Sequence, residues 1–136
     1  ALGTENTMAK MILPFENKVY FQGLSHVKHE SITELNDGKE FEVEMKTLDS
    51  LFPNKNIIAI KIDVENFEYF VLKGGEMLLK THQPIIYAEL WDNENRTNCF
   101  HLLKSMNYKT FVIDKNELVS YNSNLHEKQN FIFIVQ

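Results

Sequence analysis

Four carboxylates close to two apolar runs are the residues of this chain best suited to chemistry. Asp63 and Glu65 follow the run at residues 57–62, Glu68 lies one turn into the helix expected next, and Glu89 lies at or near the end of a second run, residues 85–90. Carboxylates at strand ends can accept hydrogen bonds from a cofactor's hydroxyl or amine groups, hold a divalent metal, or take a proton from a substrate hydroxyl. Acidic residues also favour the first turn of any helix, where they meet the positive end of its dipole, and that bland reading suits Glu68. A charge that ends a buried strand, as Asp63 does, points instead to function.

The other candidates carry less. His26 and His29 in the segment His26-Val27-Lys28-His29-Glu30 could bring two imidazoles to a metal, but no third ligand is evident and the polar surroundings read as a solvated loop, so no metal site is expected. Ser25 has no legible His and acid partners for nucleophilic catalysis. Trp91-Asp92 could shape an acceptor pocket, although Trp91 reads equally well as a core or interface aromatic. Cys99, the single cysteine, has no intrachain disulfide partner and reads as a core residue.

The elements that must position these groups follow from the hydrophobic periodicity. Residues 57–62 are almost continuously apolar and β-branched, which predicts a strand buried on both faces of a parallel sheet. Phe67, Val71, Gly74 and Leu78 then recur at helical spacing, with Gly74-Gly75 expected to break that helix in two. Pro84 opens a second buried strand over 85–90. Cys99, Leu102, Leu103 and Met106 form the stripe of a second helix, capped by Thr97 or Asn95 and ended by a left-handed Asn107. A third strand covers residues 110–114. Strands joined through helices imply right-handed crossovers and parallel pairing, whereas residues 118–121 and 131–135 have no helix between them, so the last strand should return antiparallel. In the front third, residues 8–13, 19–21 and 41–46 read as hairpin strands, 47–52 as a short capped helix, and 23–38 as polar loop. The segment Glu16-Asn17-Lys18-Val19-Tyr20-Phe21-Gln22-Gly23 resembles a protease-tag remnant with one residue too many, and reads naturally as strand and turn.

Composition bounds the function. One domain over residues 1–136 fits the chain's 136 residues, and its 43% hydrophobic share with ten Phe and five Tyr can fill a core. A net charge of -5 without a basic stripe argues against nucleic acid and suits a small-molecule partner. No apolar stretch approaches the roughly 20 residues of a membrane helix, and Ala1-Leu2-Gly3-Thr4-Glu5 has no signal pattern, so a cytoplasmic protein without a membrane partner is expected.

The run from Ile60 to Gly75, Ile60-Lys61-Ile62-Asp63-Val64-Glu65-Asn66-Phe67-Glu68-Tyr69-Phe70-Val71-Leu72-Lys73-Gly74-Gly75, resembles the K-I-D-V-E-G-x-E-x-x-V-L-K-G-A signature of the FkbM methyltransferase family. Pro84-Ile85-Ile86-Tyr87-Ala88-Glu89 is similar to the family's next strand, and Leu102-Leu103-Lys104-Ser105-Met106-Asn107-Tyr108 to its L-L-x-x-x-G-Y helix end. Ala1-Leu2-Gly3, Gly23-Leu24-Ser25 and Thr47-Leu48-Asp49-Ser50-Leu51 resemble its A-L-G, G-x-S and T-L-D-S-L segments.

The resemblance implies the C-terminal half of a Rossmann-like methyltransferase fold, α/β, with helices on both faces of a mostly parallel sheet and a final antiparallel strand. It also implies transfer of the S-adenosylmethionine methyl group to an oxygen, often on a sugar or polyketide-type product. Asp63 and Glu65 would then line the place where donor and acceptor meet, with Glu68 and Glu89 in support, and Ala1 and Leu2 would wall the adenine pocket. Asn66 stands where the signature has Gly. The Gly-rich strand-to-helix turn expected in such an enzyme has no counterpart here, so this stretch alone is expected to be inactive. The alternative is a non-catalytic binding or assembly module, with the edge of the strand at 57–62 open to pairing between copies.

Overall fold

In the computed structural model, which describes residues 1–53 and 55–136, one long strand organises the front of the chain. β1 (Thr7–Glu16) pairs antiparallel with β4 (Gly38–Met45), from Thr7↔Met45 to Pro14↔Gly38, and with β3 (His26–Val27) at Met11 and Ile12 along its other edge. The turn from β1 into β2 (Val19–Tyr20) is made by Asn17 and Lys18 with φ of 51° and 65°. Two left-handed residues match the twist of a tight hairpin, so the tag-like segment is an ordinary hairpin followed by a 3-10 turn, Gln22–Leu24.

The Thr-Leu-Asp-Ser-Leu segment forms α1 (Leu48–Leu51), and its residues divide the work. Thr47 Oγ1 accepts from Ser50 N at 3.1 Å and caps the helix; Leu48 is buried; Asp49 reaches across the chain to accept from Met77 N at 3.2 Å and Leu78 N at 2.8 Å. Asp49 thereby satisfies amides in the first turn of α3 (Glu76–His82) that have no partner within that helix. The expected break at Gly74-Gly75 is present, separating α3 from α2 (Glu68–Lys73).

The second sheet has the order β5 (Ala59–Ile62), β6 (Ile85–Glu89), β9 (Asn130–Val135), β7 (Tyr108–Asp114), β8 (Glu117–Ser120). β5 and β6 run parallel, as the intervening helices require. β9 returns antiparallel, but it inserts between β6 and β7. The two strands joined by α4 (Glu94–Ser105) therefore run in the same direction without touching, and β5–β6 is the one parallel pairing in this sheet. This corrects the expectation of a mostly parallel sheet: the sheet is mixed, because a hairpin strand won the central place that the helical crossover suggested for β7.

Two further expectations change. β5 is the edge of the sheet and is exposed at two of its four positions, with Ile58 just before it 75% exposed, so its apolar run is not buried on both faces. The cap of α4 is Asn93, whose side chain accepts from Arg96 N at 3.3 Å, and neither Thr97 nor Asn95. Asn107 does adopt the left-handed conformation, with φ 65°. Ile86, Ala88, Val112, Phe131 and Phe133 are buried with Val71, Leu72, Leu79, Cys99 and Leu103 of the helices in one core. The alternate residues Ile85, Tyr87 and Ile113 stay exposed, so the described helices cover one face of this sheet.

The start of the chain docks where the helix breaks. Gly3 N donates to Lys46 O at 3.0 Å and Lys46 N to Ala1 O at 3.0 Å, which lays Ala1 to Gly3 beside the end of β4. A Cβ at Gly74 would overlap the Gly3 carbonyl. Because Gly74 has an ordinary φ of -74°, only this overlap forbids a side chain there. Gly74→Ala is expected to cost about 1–3 kcal/mol by overpacking, measured as a lowered urea midpoint; an unchanged midpoint would mean that the close approach is not maintained in solution.

Candidate functional site

The acidic group sits where β5 ends. Asp63 is exposed, and its Oδ2 accepts from Lys61 Nζ at 2.7 Å, a surface pair that contributes little to stability. The chain then turns through Glu65 and Asn66, both left-handed with φ of 50° and 68°. Asn66 thus occupies a position whose backbone favours Gly, and it is among the non-glycine residues least penalised there.

This turn is held from two sides. Asn66 is 3% exposed, and its Oδ1 accepts from Asn93 Nδ2 at 2.8 Å and Asn95 Nδ2 at 3.2 Å, while its backbone carbonyl accepts from Asn95 Nδ2 at 2.9 Å. Glu68, buried beneath the turn, accepts from Val64 N through Oε1 at 3.1 Å. Burial pushes the Glu68 carboxyl above the usual carboxylate range, while hydrogen bonds from its own amide and those of Val64 and Asn66 pull the other way.

A pocket of about 280 Å³ opens on this turn, lined by Ala1, Leu2, His26, Asp63, Val64, Glu65 and Phe67 among others. Glu65 is half-buried, and burial first, then the charges of Asp63 and Glu89, raise its carboxyl above the usual range; His26 opposes them. His26 is 3% exposed. Its Nδ1 lies 3.0 Å from Leu24 O, an acceptor only, so Nδ1 carries a proton. Its Nε2 faces Asn36 Oδ1 at 3.4 Å.

The structure thus brings Ala1, Leu2, Asp63 and Glu65 to one pocket. It places Glu68 under the pocket floor and Glu89, half-buried at the end of β6, outside its lining. His26 was hidden from sequence reasoning because its segment looked like solvated loop; β3 pairing against β1 buries it. His29 instead packs on Phe70, ring centroids 4.3 Å apart, and bonds Ser31. Among the described residues no group of three or more His, Cys, Asp or Glu is placed to hold a metal. Burial pushes the Cys99 thiol up, which keeps it an inert core residue.

A wider cleft of about 790 Å³ lies on the exposed face near the start of β9, lined in part by Tyr87, Asp92, Arg96, Lys128 and Asn130. Its two lining cations are paired, Arg96 with Asp92 at 3.0 Å and Lys128 with Asp114 at 3.2 Å, and Glu127 also lines it. Trp91 does not line it. Left-handed backbone and a perturbed carboxylate coincide at the smaller pocket.

An α/β chain with an acidic turn at the carboxyl end of a parallel strand pair has the layout of a ligand-binding or transferase domain. Residues 1–113 match the family model described as the methyltransferase FkbM domain, and the chain belongs to that family. No curated protein and no solved structure matches it. No described helix is long and apolar enough to cross a membrane.

The Glu68 shift has a consequence for stability. A carboxyl whose folded pKa is raised keeps its proton in the folded state at pH values where the unfolded chain has lost it, so stability falls as pH climbs through that window. Glu68→Gln keeps an oxygen that can accept from Val64 N and removes the titration. Relative to the variant, the native chain is expected to lose stability in urea melts as pH rises above the ordinary glutamate range; a pH-independent difference would rule out Glu68 as the source.

Proposed function

We propose that this protein takes part in S-adenosylmethionine-dependent methyl transfer to a hydroxyl of a small-molecule acceptor, of sugar or polyketide type, with Asp63 and Glu65 at the reacting centre. The observation that carries the reading is the meeting of Ala1, Leu2, His26, Asp63 and Glu65 in one pocket at the end of β5. The donor, when bound, supplies an electrophilic methyl group on a sulfonium cation. The residues present fit the reactive end of such a molecule: two carboxylates attract a cationic centre, and Ala1 and Leu2 offer a wall beside it. At about 280 Å³ the pocket is slightly smaller than the ~300–1,000 Å³ usual for ligand sites, so these residues hold part of a donor of that size.

Glu65 is the base. Its raised carboxyl lies closer to neutral pH than an ordinary glutamate, which suits proton transfer from a hydroxyl. The acceptor's proton would pass to the Glu65 carboxylate as its oxygen takes the methyl group and the sulfonium, keeping the electron pair of the broken sulfur–carbon bond, leaves as a neutral thioether. Asp63 holds the cationic side of the site, and Glu89 adds negative potential from β6. Activity is expected to rise with pH through the Glu65 titration.

The open edge of β5 favours a second reading, a non-catalytic module that binds or assembles through that edge. Donor binding by calorimetry and methyl transfer in the full-length protein separate the two. Glu65→Gln is expected to lower kcat by about 10²–10⁴-fold with donor affinity nearly kept, and Asp63→Ala to weaken donor binding. Methyl transfer unchanged in both variants would reject the assignment, and no heat with S-adenosylmethionine would favour the module.

A further inference from the structure

We propose that Asn95, together with Asn93, is a positioning residue for Glu65: their side-chain amides lock the left-handed Glu65-Asn66 turn and so set where the Glu65 carboxylate enters the pocket. The inference deepens the function proposed above and rests on Glu65 serving that site.

Two successive non-glycine residues at φ of 50° and 68° do not hold that conformation unaided. Their surroundings must determine it, and the determinants are few. Asn95 is 6% exposed in the first turn of α4, a place where Asn is a poor helix former and where a buried amide is costly unless bonded. Its Nδ2 is directed at Asn66, to the backbone carbonyl at 2.9 Å and to Oδ1 at 3.2 Å. Asn93 acts at both ends of its side chain: Oδ1 accepts from Arg96 N at 3.3 Å to cap α4, and Nδ2 donates to Asn66 Oδ1 at 2.8 Å. The cap therefore fastens the amino end of α4 to the turn.

That anchor is itself fixed. Arg96 donates to Leu90 O from Nη2 at 2.7 Å and to Trp91 O from Nε at 3.0 Å, which holds the loop between β6 and α4 against the helix it precedes. On the opposite flank the Glu68 carboxylate takes Val64 N. Glycine at position 66 would adopt this backbone without help. Asparagine there supplies the side-chain oxygen on which both amides converge, so the turn exchanges backbone freedom for a fixed direction of Glu65.

The test needs no acceptor. In Asn95→Ala, amide hydrogen exchange at residues 64–67 is expected to accelerate about tenfold or more, as two bonds to Asn66 are lost, while β7 and β9 keep their protection. The Glu65 carboxyl, followed by carbon-13 NMR against pH, is expected to move back toward the usual carboxylate range as it swings into solvent. The charged groups in its reach, Asp63, Glu68, Glu89 and His26, are unchanged in the variant. Should Asn95→Ala fail to fold, Asn93→Ser keeps a helix cap and loses the Nδ2 donor, and is read in the same way. Native exchange at 64–67 with a native Glu65 titration in the folded variant would overturn the proposal. If the clamp behaves as expected but Glu65→Gln transfers methyl groups normally, the catalytic reading fails and the clamp stands.

Discussion

A single left-handed turn fixes the geometry of the candidate site. After β5 the backbone must reverse sharply enough to start α2 within a few residues, and Glu65 and Asn66 absorb that reversal at positive φ. Three neighbouring side chains bond to it: Asn93 and Asn95 on one side and Glu68 on the other. Among the described residues no buried side-chain polar atom lacks a partner, so this network is satisfied and stiff. Stiffness at that point lets a half-buried carboxylate face a pocket with its titration displaced toward neutral pH.

The two sheets contribute differently. The first, built around β1, buries His26 and lays the Ala1 to Gly3 segment beside β4, so it supplies the pocket's far wall. The second supplies the acidic rim through the ends of β5 and β6. What joins them is the break at Gly74-Gly75, where the absence of side chains lets the chain start approach α2 and lets Leu48 pack against Gly75. The short segments that resemble the family's thus have mechanical meaning here. Thr47 caps a helix, Asp49 caps another far away in sequence, and Gly3 and Gly74 touch.

The balance of charges in and around the two cavities separates their roles. In the wide cleft the cations Arg96 and Lys128 are matched by Asp92 and Asp114. At the end of β5, where Asp63 is paired with Lys61, burial and then the charges of Asp63 and Glu89 raise the Glu65 carboxyl, with His26 as the opposing group. Like charges held near a half-buried carboxyl shift its titration.

Sequence by itself determined whatever depends on local pattern. The strand, turn and broken helix from Ile60 to Gly75, the capped helix at Thr47 and the left-handed Asn107 were all legible, because periodicity, capping and turn preference act over a few residues. Asn66 was legible as a residue standing where the family's signature has Gly, but only the fold showed its positive φ of 68°. Tertiary structure alone decided the rest. Which strand takes the centre of a sheet depends on pairings between residues far apart, so β9 came to separate β6 from β7 and β5 became an edge. Burial of His26 and convergence of Asn93 and Asn95 on Asn66 likewise join segments separated by long stretches of chain. No local preference encodes such meetings; only the packed fold brings those groups within hydrogen-bonding distance.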